Sequence, residues 1–524
     1  MVEENNIANS EELLDSQTTS NRRIAKNTLL LYVRMFIVLI VNLFTQRVVL
    51  DSLGVVDYGI YNVVGGFVAM FSIVSSTLSV SISRYITFEL GQGNLEKMKR
   101  IFSTSINIQI IVILIIVLVG ETVGVWFVNY KMTIPADRII AANWVYQFSL
   151  AAFIIGLINV PYNASIVAHE RMGIFAVVGV IECLGKLLIA YAVFISPIDK
   201  LTYYSLLILL LYISIRVFYL IYCKKSFEEC VYKRVFDRKL LKNMFGFAGW
   251  NMIGASAGVL RDQGVNIVLN IFCGPVVNAA RGIANQVSIG VNSFTTNFMT
   301  AVNPQITKSY AAKETSNSIK LVFMSSKFSF YLLLFMSVPV LFETNMILSL
   351  WLKIVPEHTI EFVQLTIISI LILSISFPLI TLMLATGNIR NYQIAVGGCQ
   401  LLNLPISYLL LRNGLPVVSV YYVFIVIELI CLGIRLFMLK KMVGFPVKSF
   451  LYEVVTKTIL VALICMIIPA LMIYIFQQGI ARLSINVLLS LIIVPTVAYL
   501  VGCSPSERAK IQFAFNSIKT KFSK

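Results

Sequence analysis

The segment LGVVDYGIYN, residues 53–62, stands between two long apolar stretches of the chain. About 220 residues later, FCGPVVNAARGIAN (residues 272–285) occupies the same place between two other apolar stretches, with Gly274 at the position of Gly54. At the same offset, the stretches that follow end in SRYIT (83–87) and in NPQIT (303–307). Because these matches fall at equivalent boundaries, they predict a chain built from two related halves.

The composition indicates the class of protein to which these halves belong. Of the 524 residues, 58% are hydrophobic and only 13% are charged, whereas soluble domains are about 25% charged. A helix needs about 20 apolar residues to cross the hydrocarbon core of a bilayer. Fourteen segments are long enough: 27–50, 57–83, 103–128, 138–168, 174–195, 201–223, 244–272, 276–303, 321–351, 357–386, 389–411, 416–440, 450–476 and 481–502. We expect an all-α polytopic membrane protein with 14 transmembrane helices and no soluble domain.

The two halves divide the spans into two groups of six and a final pair. In the segment between the halves, Phe227, Val231 and Val235 recur every four residues, and Ile511 and Phe515 do so in the C-terminal tail. Both segments are basic, so this spacing predicts amphipathic helices on an anionic membrane surface. The predicted units are a polar N-terminal tail (1–26), a six-helix lobe (27–223), a basic linker helix (224–243), a second six-helix lobe (244–440), two further helices (441–502) and a basic amphipathic tail (503–524).

The net charge of +17 indicates an orientation in the membrane rather than a nucleic-acid partner. With an even number of spans, both termini lie on the same side, and the lysines and arginines outside the spans are concentrated there. The positive-inside rule therefore predicts that both termini are cytoplasmic. Eight scattered cysteines without a C-x-x-C spacing indicate packing residues, and the two histidines, His169 and His358, are too far apart in the topology for a metal site. No metal and no cofactor is expected.

Polar residues follow one face of several predicted spans. Stripes of this kind line either a water-filled cavity or a dry contact between helices. Asparagines and an arginine on one face are difficult to satisfy in a dry contact, which favours a cavity for the eighth span. For the second span both interpretations stay open. The stripes are Asn278, Arg281, Asn285, Ser288, Asn292, Thr296 and Asn303 in the eighth span and Asn62, Gly65, Ala69, Ser72, Ser76, Ser79 and Ser83 in the second.

Four arginines, Arg34, Arg216, Arg261 and Arg281, lie deep or fairly deep inside predicted spans, and three of them, Arg34, Arg261 and Arg281, lie at staggered depths. A charge at the centre of a bilayer costs about 2.5–3.5 kcal/mol on insertion scales, so such residues are usually functional. Only Arg261 has an acid beside it, Asp262, and the alternative role for that pair is a buried ion pair closing the interface between the lobes. Another arginine, Arg435, is near a span end and is expected to reach the interface.

The planar guanidinium of arginine holds two phosphate oxygens at once. We therefore expect the three staggered arginines to form a path for an anionic group. Nearby amides are suited to sugar hydroxyls, and the candidates for that role are Asn62, Asn285 and Asn292. Asp262 is the acid best placed to bind a coupling H⁺ or Na⁺.

Four segments carry a resemblance to a known family: NTLLLYVRMF (27–36), LGVVDYGIYNVVGG (53–66), GPVVNAARGIANQV (274–287) and FMTAVNPQITKSYAA (298–312). They resemble the Wzx-type O-antigen or oligosaccharide flippases, which belong to a superfamily that includes multidrug and toxin extruders and lipid II flippases. The resemblance implies a V-shaped pair of lobes around a cationic cavity. It also implies transport of an undecaprenyl-diphosphate-linked oligosaccharide from the inner to the outer leaflet of a bacterial inner membrane. The expected partners are this substrate, membrane lipids and glycan-assembly membrane proteins.

Other functions predict different features. An extruder of cationic drugs needs acids in its cavity, and Asp262 packed near Glu121 or Glu428 in a solvent-filled chamber would favour it. A membrane polysaccharide polymerase or glycosyltransferase would be expected to carry charged catalytic groups on sizeable outer loops, and the predicted outer loops are short. A channel does not call for a duplicated bundle with arginines at different depths. The sequence therefore favours a flippase that is not an enzyme.

Overall fold

The structure is a computed structural model that describes residues 38–91, 94–169, 171, 173–233, 238–387, 390–509 and 512. Within these residues every regular element is a helix, which confirms the all-α class. In chain order the helices are α1 (Val38–Leu53), α2 (Val55–Ala69), α3 (Ser72–Gly91), α4 (Leu95–Tyr130), α5 (Ile139–Ala168), α6 (Gly173–Ala192), α7 (Lys200–Ser226), α8 (Arg238–Cys273), α9 (Pro275–Ala311), α10 (Thr315–Phe342), α11 (Thr344–Trp351), α12 (Thr359–Ala385), α13 (Arg390–Arg412), α14 (Ser419–Val443), α15 (Val447–Ile475) and α16 (Ile480–Gly502). We call α1–α7 the first half and α8–α14 the second half.

Length and composition support membrane insertion for most of these helices. In the described residues, ten helices are long and apolar enough to cross a bilayer, or eleven if the bent pair α1 and α2 is counted as one span. Two long helices, α8 with 36 residues and α9 with 37, are not among them. Both carry many of the polar residues described above, which lowers their hydropathy. The predicted total of fourteen spans therefore stays a prediction.

Two glycines place a sharp corner at the same point of each half. Gly54 joins α1 to α2 with φ 79° and ψ 171°, and Gly274 joins α8 to α9 with φ 78° and ψ −177°. This combination of angles is essentially restricted to glycine, because a side chain would clash with the backbone. Gly54 and Gly274 match in the sequence and also share one backbone conformation. We call the side of the molecule on which these glycines lie the corner side.

Helices α2 and α9 cross next to the corners and bring the two halves into contact. A Cβ atom on Gly59 would lie 1.9 Å from the backbone oxygen of Pro275, and one on Gly282 would lie 2.8 Å from Oδ1 of Asn62. The offset of about 220 residues maps Asn62 onto Gly282. At the crossing of α2 and α9, Asn62 of the first half therefore contacts Gly282, which is the equivalent position of the second half.

Side-chain contacts add to this crossing on the corner side. Nζ of Lys353 lies 2.6 Å from Oδ2 of Asp51. The indole N–H of Trp351 donates to the carbonyl oxygen of Leu43 at 2.7 Å, and Asn270 Oδ1 accepts from a backbone N–H of the loop after α4 at 2.9 Å. These bonds join α1 and the α4–α5 loop of the first half to α8, to α11 and to the loop after α11 in the second half. The halves are therefore held together on this side.

The closest of these contacts predicts an unequal response to two similar substitutions. We expect Gly59→Ala to lower the unfolding temperature, because its Cβ would meet a backbone atom that cannot rotate away, and overpacking costs about 1–3 kcal/mol. Gly65→Ala in the same helix is the matched control, since its Cβ would have no neighbour within 4 Å. Thermal unfolding of the purified proteins in detergent measures the difference. Equal midpoints for the two variants would contradict the close crossing.

The predicted linker helix at 224–243 is wrong for residues 227–233, whereas residues 224–226 end α7 and residues 238–243 begin α8. Helix α7 continues to Ser226, and residues 227–233 are not helical; Phe227 has φ −133° and ψ 117°. Phe227 and Cys230 are buried against the first half, and the Phe227 ring stacks on the His169 ring with centroids 4.4 Å apart. The apolar residues therefore pack inward instead of facing a membrane surface. Val235 and the tail residues 513–524 lie outside the described residues, as does the tail 1–26.

The long predicted span at 321–351 is broken, and its break is tied to α16. Helix α10 ends at Phe342, and α11 begins one residue after Glu343. The fully buried Glu343 carboxylate accepts hydrogen bonds from Arg482 at 2.8 and 3.0 Å and from the Asn486 amide at 2.6 Å. Further along α10, Nζ of Lys327 lies 2.6 Å from Oε2 of Glu507. Two buried ion pairs thus attach the C-terminal helices to α10.

Candidate functional site

A cavity of about 310 Å³ lies in the second half between α8, α9, α12 and α14. It brings together Arg261, Asp262, Arg281 and Asn285, which are four of the seven residues singled out in the sequence. The remaining lining residues combine hydroxyl, amide, aromatic and apolar groups: Gln263, Ser288, Ile289, Thr366, Ser369, Ile370, Leu373, Tyr421, Phe424 and Glu428. The polar stripe of α9 therefore faces this cavity in its middle section.

Helix α8 supplies an adjacent arginine and aspartate to the cavity. Successive residues of a helix point about 100° apart, yet the Arg261 side chain folds back so that Nε donates to Oδ1 of Asp262 at 3.0 Å. The Asp262 side chain is 52% exposed, and that of Arg261 is 20% exposed. The pair lies within the cavity of the second half. It does not close the interface between the halves, which was the alternative role.

Arg281 of α9 lies beside this pair. It is 5% exposed, and one terminal nitrogen donates to the backbone oxygen of Asp262 at 3.1 Å. Its guanidinium carbon is 5.5 Å from the centre of the Phe424 ring, and that of Arg261 is 5.9 Å from the same ring. Within the described residues Nε of Arg281 has no hydrogen-bond partner. The cavity thus holds a buried cation that retains one unused donor.

The predicted stagger is wrong for Arg261 and Arg281. The sequence places them at different distances from the corner at Gly274, but both guanidiniums reach the same aromatic ring of α14. The reason is that both side chains are long and flexible, so the depth of a Cα atom does not fix the depth of the charge. They form one local cationic site. Arg34, the third arginine of the predicted path, lies outside the described residues.

At the wall of the cavity, Glu428 joins two arginines. One carboxylate oxygen lies 2.8 Å from Arg435 and the other 3.8 Å from Arg261. Arg435 is 1% exposed and also donates to the hydroxyl of Ser376 at 3.0 Å. The expectation that Arg435 reaches the membrane interface is therefore wrong. The whole cluster contains three arginines and two carboxylates, which leaves one positive charge in excess.

The sequence contains a signal for Glu428 and Arg435. They are seven residues apart on α14, so they lie on one face of the helix, two turns from each other. Its position near a span end predicts only that Arg435 reaches the interface, and the sequence relates Glu428 only to the cavity of an extruder. Their mutual pairing would have indicated a buried charge inside the second half.

The other predicted binding residues lie outside this cavity. Asn62 donates to the Tyr58 carbonyl oxygen at 2.8 Å and sits at the crossing of α2 and α9. Asn292 is half-buried further along α9, and its Oδ1 has no hydrogen-bond partner within the described part of the chain. At the corner, the Asn278 amide donates to Asn266 at 2.7 and 2.8 Å. The stripe of α9 thus begins with a structural contact and becomes a cavity wall only from Arg281 onward.

A second cavity of about 550 Å³ lies in the first half between α2, α3, α5 and α7. The stripe of the second predicted span contributes Gly65, Ala69 and Ser79 to it. The cavity interpretation of that stripe therefore holds for these residues, and the packing interpretation holds for Asn62. The complete lining is Tyr61, Gly65, Val68, Ala69, Ser75, Ser79, Ser149, Ala152, Phe153, Gly156, Leu157, Val160, Asn163, Ile208 and Tyr212.

Neither cavity has the ligand set of a metal site. In the described part of the chain, no group of three or more histidine, cysteine, aspartate or glutamate residues is arranged to hold a metal ion. The eight cysteines are unpaired, and six of them are buried, which fits the packing role predicted for them.

Comparison with known proteins finds similarity in structure and none in sequence families. No protein-family model and no curated protein sequence matches the chain. Among solved structures, a lipid II flippase, MurJ, in an inward closed conformation is similar with a TM-score of 0.71 and 14% identity over 90% of this chain and 98% of that one. A multidrug resistance MATE family transporter of the MOP superfamily is similar in its inward-facing conformation with a TM-score of 0.64 and 11% identity, over 77% and 95% of the chains. An outward-facing structure of such a transporter gives 0.55 with 11% identity, over 80% and 95%.

The chain therefore has the fold shared by MurJ and the MATE transporters. At these identities the similarity establishes the fold and not the substrate.

Proposed function

We propose that the chain is a flippase that moves a lipid-linked oligosaccharide, carried on undecaprenyl diphosphate, from the inner to the outer leaflet. The observation that carries this proposal is the buried arginine pair, Arg261 and Arg281, beside one aromatic ring in a cavity with an excess positive charge. Guanidinium groups are suited to a diphosphate because each presents several donors in a fixed plane. Nε of Arg281 is a donor that such a ligand would use.

The mechanism we propose is alternating access. The diphosphate would bind the two arginines, with Asn285 beside them, while the lipid tail stays in the bilayer. The halves would then separate on the corner side, where Lys353, Trp351 and Gly59 now hold them together. Inverted or related bundles that rock around a central site are a common design of secondary transporters.

Several details belong to the same proposal. Asp262 is half exposed in the cavity and is the acid we assign to a coupling H⁺ or Na⁺. The protein would lie in the bacterial inner membrane with both termini in the cytoplasm, as the positive-inside rule predicts. Arg34, Asn62 and Asn292 remain candidate binding residues for other stages of transport. Glycan-assembly membrane proteins would be the source and destination of the substrate. No cofactor is required for this mechanism.

A second candidate function is the extrusion of organic cations. Asp262 and Glu428 both line the cavity, which is the feature that an extruder of this fold would need. Glu121 does not contribute, because its carboxylate accepts from Gln147 at an exposed position. The arginines argue against this function, since Arg261 contacts both acids and Arg435 pairs with Glu428. A cationic drug would have to compete with these built-in cations.

The two functions predict opposite results for glycan export and ethidium efflux when both are measured in the same cells. The chain would be expressed in bacterial strains that lack their oligosaccharide flippase and differ in the glycan they assemble, at matched membrane levels. We expect surface glycan to return in at least one strain, and we expect ethidium efflux from the same cells to equal that of the vector control. Ethidium efflux without glycan export would favour the extruder. If neither changes, the flippase proposal is wrong.

A further inference from the structure

The cavity of the first half differs in chemistry from the one in the second half. None of its lining residues is charged, whereas two arginines, an aspartate and a glutamate line the other. Its polar groups are the hydroxyls of three serines and two tyrosines and the amide of Asn163, and Phe153 supplies a further ring. At about 550 Å³ it falls within the usual size range of small-molecule sites, about 300–1,000 Å³.

Two observations show that this space is not simply a packing defect. Gly65 and Gly156 line it from α2 and α5, and a Cβ atom on either would have no neighbour within 4 Å. Oδ1 of Asn163 is shielded from solvent and has no hydrogen-bond partner within the described residues. An unpaired buried amide oxygen is costly unless water or a ligand satisfies it.

An ion pair beside the Tyr212 ring gives the cavity no net charge. Lys186 and Glu182 on α6 neutralise each other, with Nζ 2.6 Å from Oε1. The ammonium group lies 5.7 Å from the centre of the Tyr212 ring, behind the cavity wall. The site therefore offers neutral donors and acceptors together with aromatic faces. Each sugar hydroxyl is both a donor and an acceptor and needs partners of this kind, whereas a phosphate would leave its charge unpaired.

We infer that the cavity of the first half binds the neutral sugar portion of the substrate, while the arginine cavity of the second half binds its anionic group. This inference rests on the proposed function and adds that each half binds a different part of the substrate. It assigns Tyr61, Tyr212 and Asn163 to the sugar and gives Asn285 a place beside the phosphate only. Specificity for the glycan is then determined by α2, α3, α5 and α7.

The test uses the open space at Gly156. In Gly156→Leu the new side chain projects into the empty cavity, and Gly156→Ala is the matched control because alanine fills little of it. The purified full-length proteins in nanodiscs would be titrated with undecaprenyl diphosphate and with undecaprenyl diphosphate carrying one N-acetylhexosamine. We expect wild type and Gly156→Ala to bind the glycosylated lipid about tenfold more tightly than the bare one, the effect of one or two added hydrogen bonds.

The expected pattern separates this inference from the proposed function. Gly156→Leu should lose the tenfold preference and keep its affinity for the bare lipid, whereas Arg281→Gln should lose affinity for both. Binding of both lipids with a preference that survives in Gly156→Leu would overturn the inference alone, as would equal binding of the two lipids by wild type. If wild type binds neither lipid, the proposed function fails and this inference fails with it.

Discussion

Arg281→Ala is expected to reduce glycan export by about 10- to 100-fold while the protein still reaches the membrane at a normal level. A hydrogen bond to a charged group contributes about 1.5–3 kcal/mol, and 1.4 kcal/mol corresponds to a factor of ten. The side chain has one terminal nitrogen bonded to the backbone oxygen of Asp262 and a buried Nε for which the described residues offer no partner. Export in a flippase-deleted host, normalised to membrane content, measures the loss. Arg281→Lys should recover part of it, because lysine restores the charge without the planar fork.

Two further variants show whether the effect is specific to the cavity. Arg216→Ala removes another arginine from within the helices, one that belongs to α7 of the first half, lies over the Tyr162 ring and bonds to Asn159 at 3.1 Å. We expect this control to export glycan like wild type. Arg261→Ala should resemble Arg281→Ala, with Arg261→Lys again intermediate. Normal export by both alanine variants would show that the cavity does not bind the anionic group, and the arginine pair would then be structural.

Glu343→Ala is expected to cause the largest loss of stability. It would leave Arg482 buried without its carboxylate, and breaking a buried ion pair in this way costs about 3–5 kcal/mol. Asn486 would lose its acceptor at the same time. Because these bonds join the break between α10 and α11 to α16, we expect the C-terminal helices to detach first. Thermal unfolding of the purified protein, together with limited proteolysis of the C-terminal region, measures the change.

A matched control for this variant is Glu357→Ala. The Glu357 side chain is 80% exposed and lies 3.9 Å from His358, so its removal should shift the unfolding temperature little. The double variant Glu343→Leu with Arg482→Leu should recover much of the lost stability, because an apolar pair can replace a buried ion pair of similar volume. If Glu343→Ala and Glu357→Ala unfold at the same temperature, the buried pair does not stabilise the fold.

The sequence predicts those features that depend on local pattern. The apolar spans predict the helices, and the match around Gly54 and Gly274 predicts two related halves, whose corners the structure places at these two glycines. The helical period of α9 brings Arg281 and Asn285 to one wall, and the cavity confirms that they share it. These predictions hold because each depends on residues within a few turns of one another.

Features that depend on the meeting of distant helices are not predictable in this way. The contact of Arg261 with Glu428 joins α8 to α14, and no periodicity within either helix reports it. The guanidinium groups of Arg261 and Arg281 reach the same Phe424 ring because both side chains are long and flexible. The apolar spacing around Phe227 is consistent with a surface helix, but burial against His169 gives the segment a non-helical path instead. In each case a tertiary contact outweighs the local preference.

Residues 227–233, which pack against the first half, limit how far the start of α8 can move. Glu229 bonds to His169 at 2.8 Å, the Tyr232 hydroxyl donates to Asn107 at 2.9 Å, and the Lys233 backbone donates to Ser103 at 3.0 Å. Since α8 begins at Arg238, five peptide steps connect the fixed end of this segment to the second half. A fully extended chain gains at most about 3.6 Å per residue, so the first turn of α8 stays within roughly 18 Å of its anchor on α4. When the halves rock, the start of α8 therefore stays near its attachment on α4, and the two halves cannot separate completely at this point.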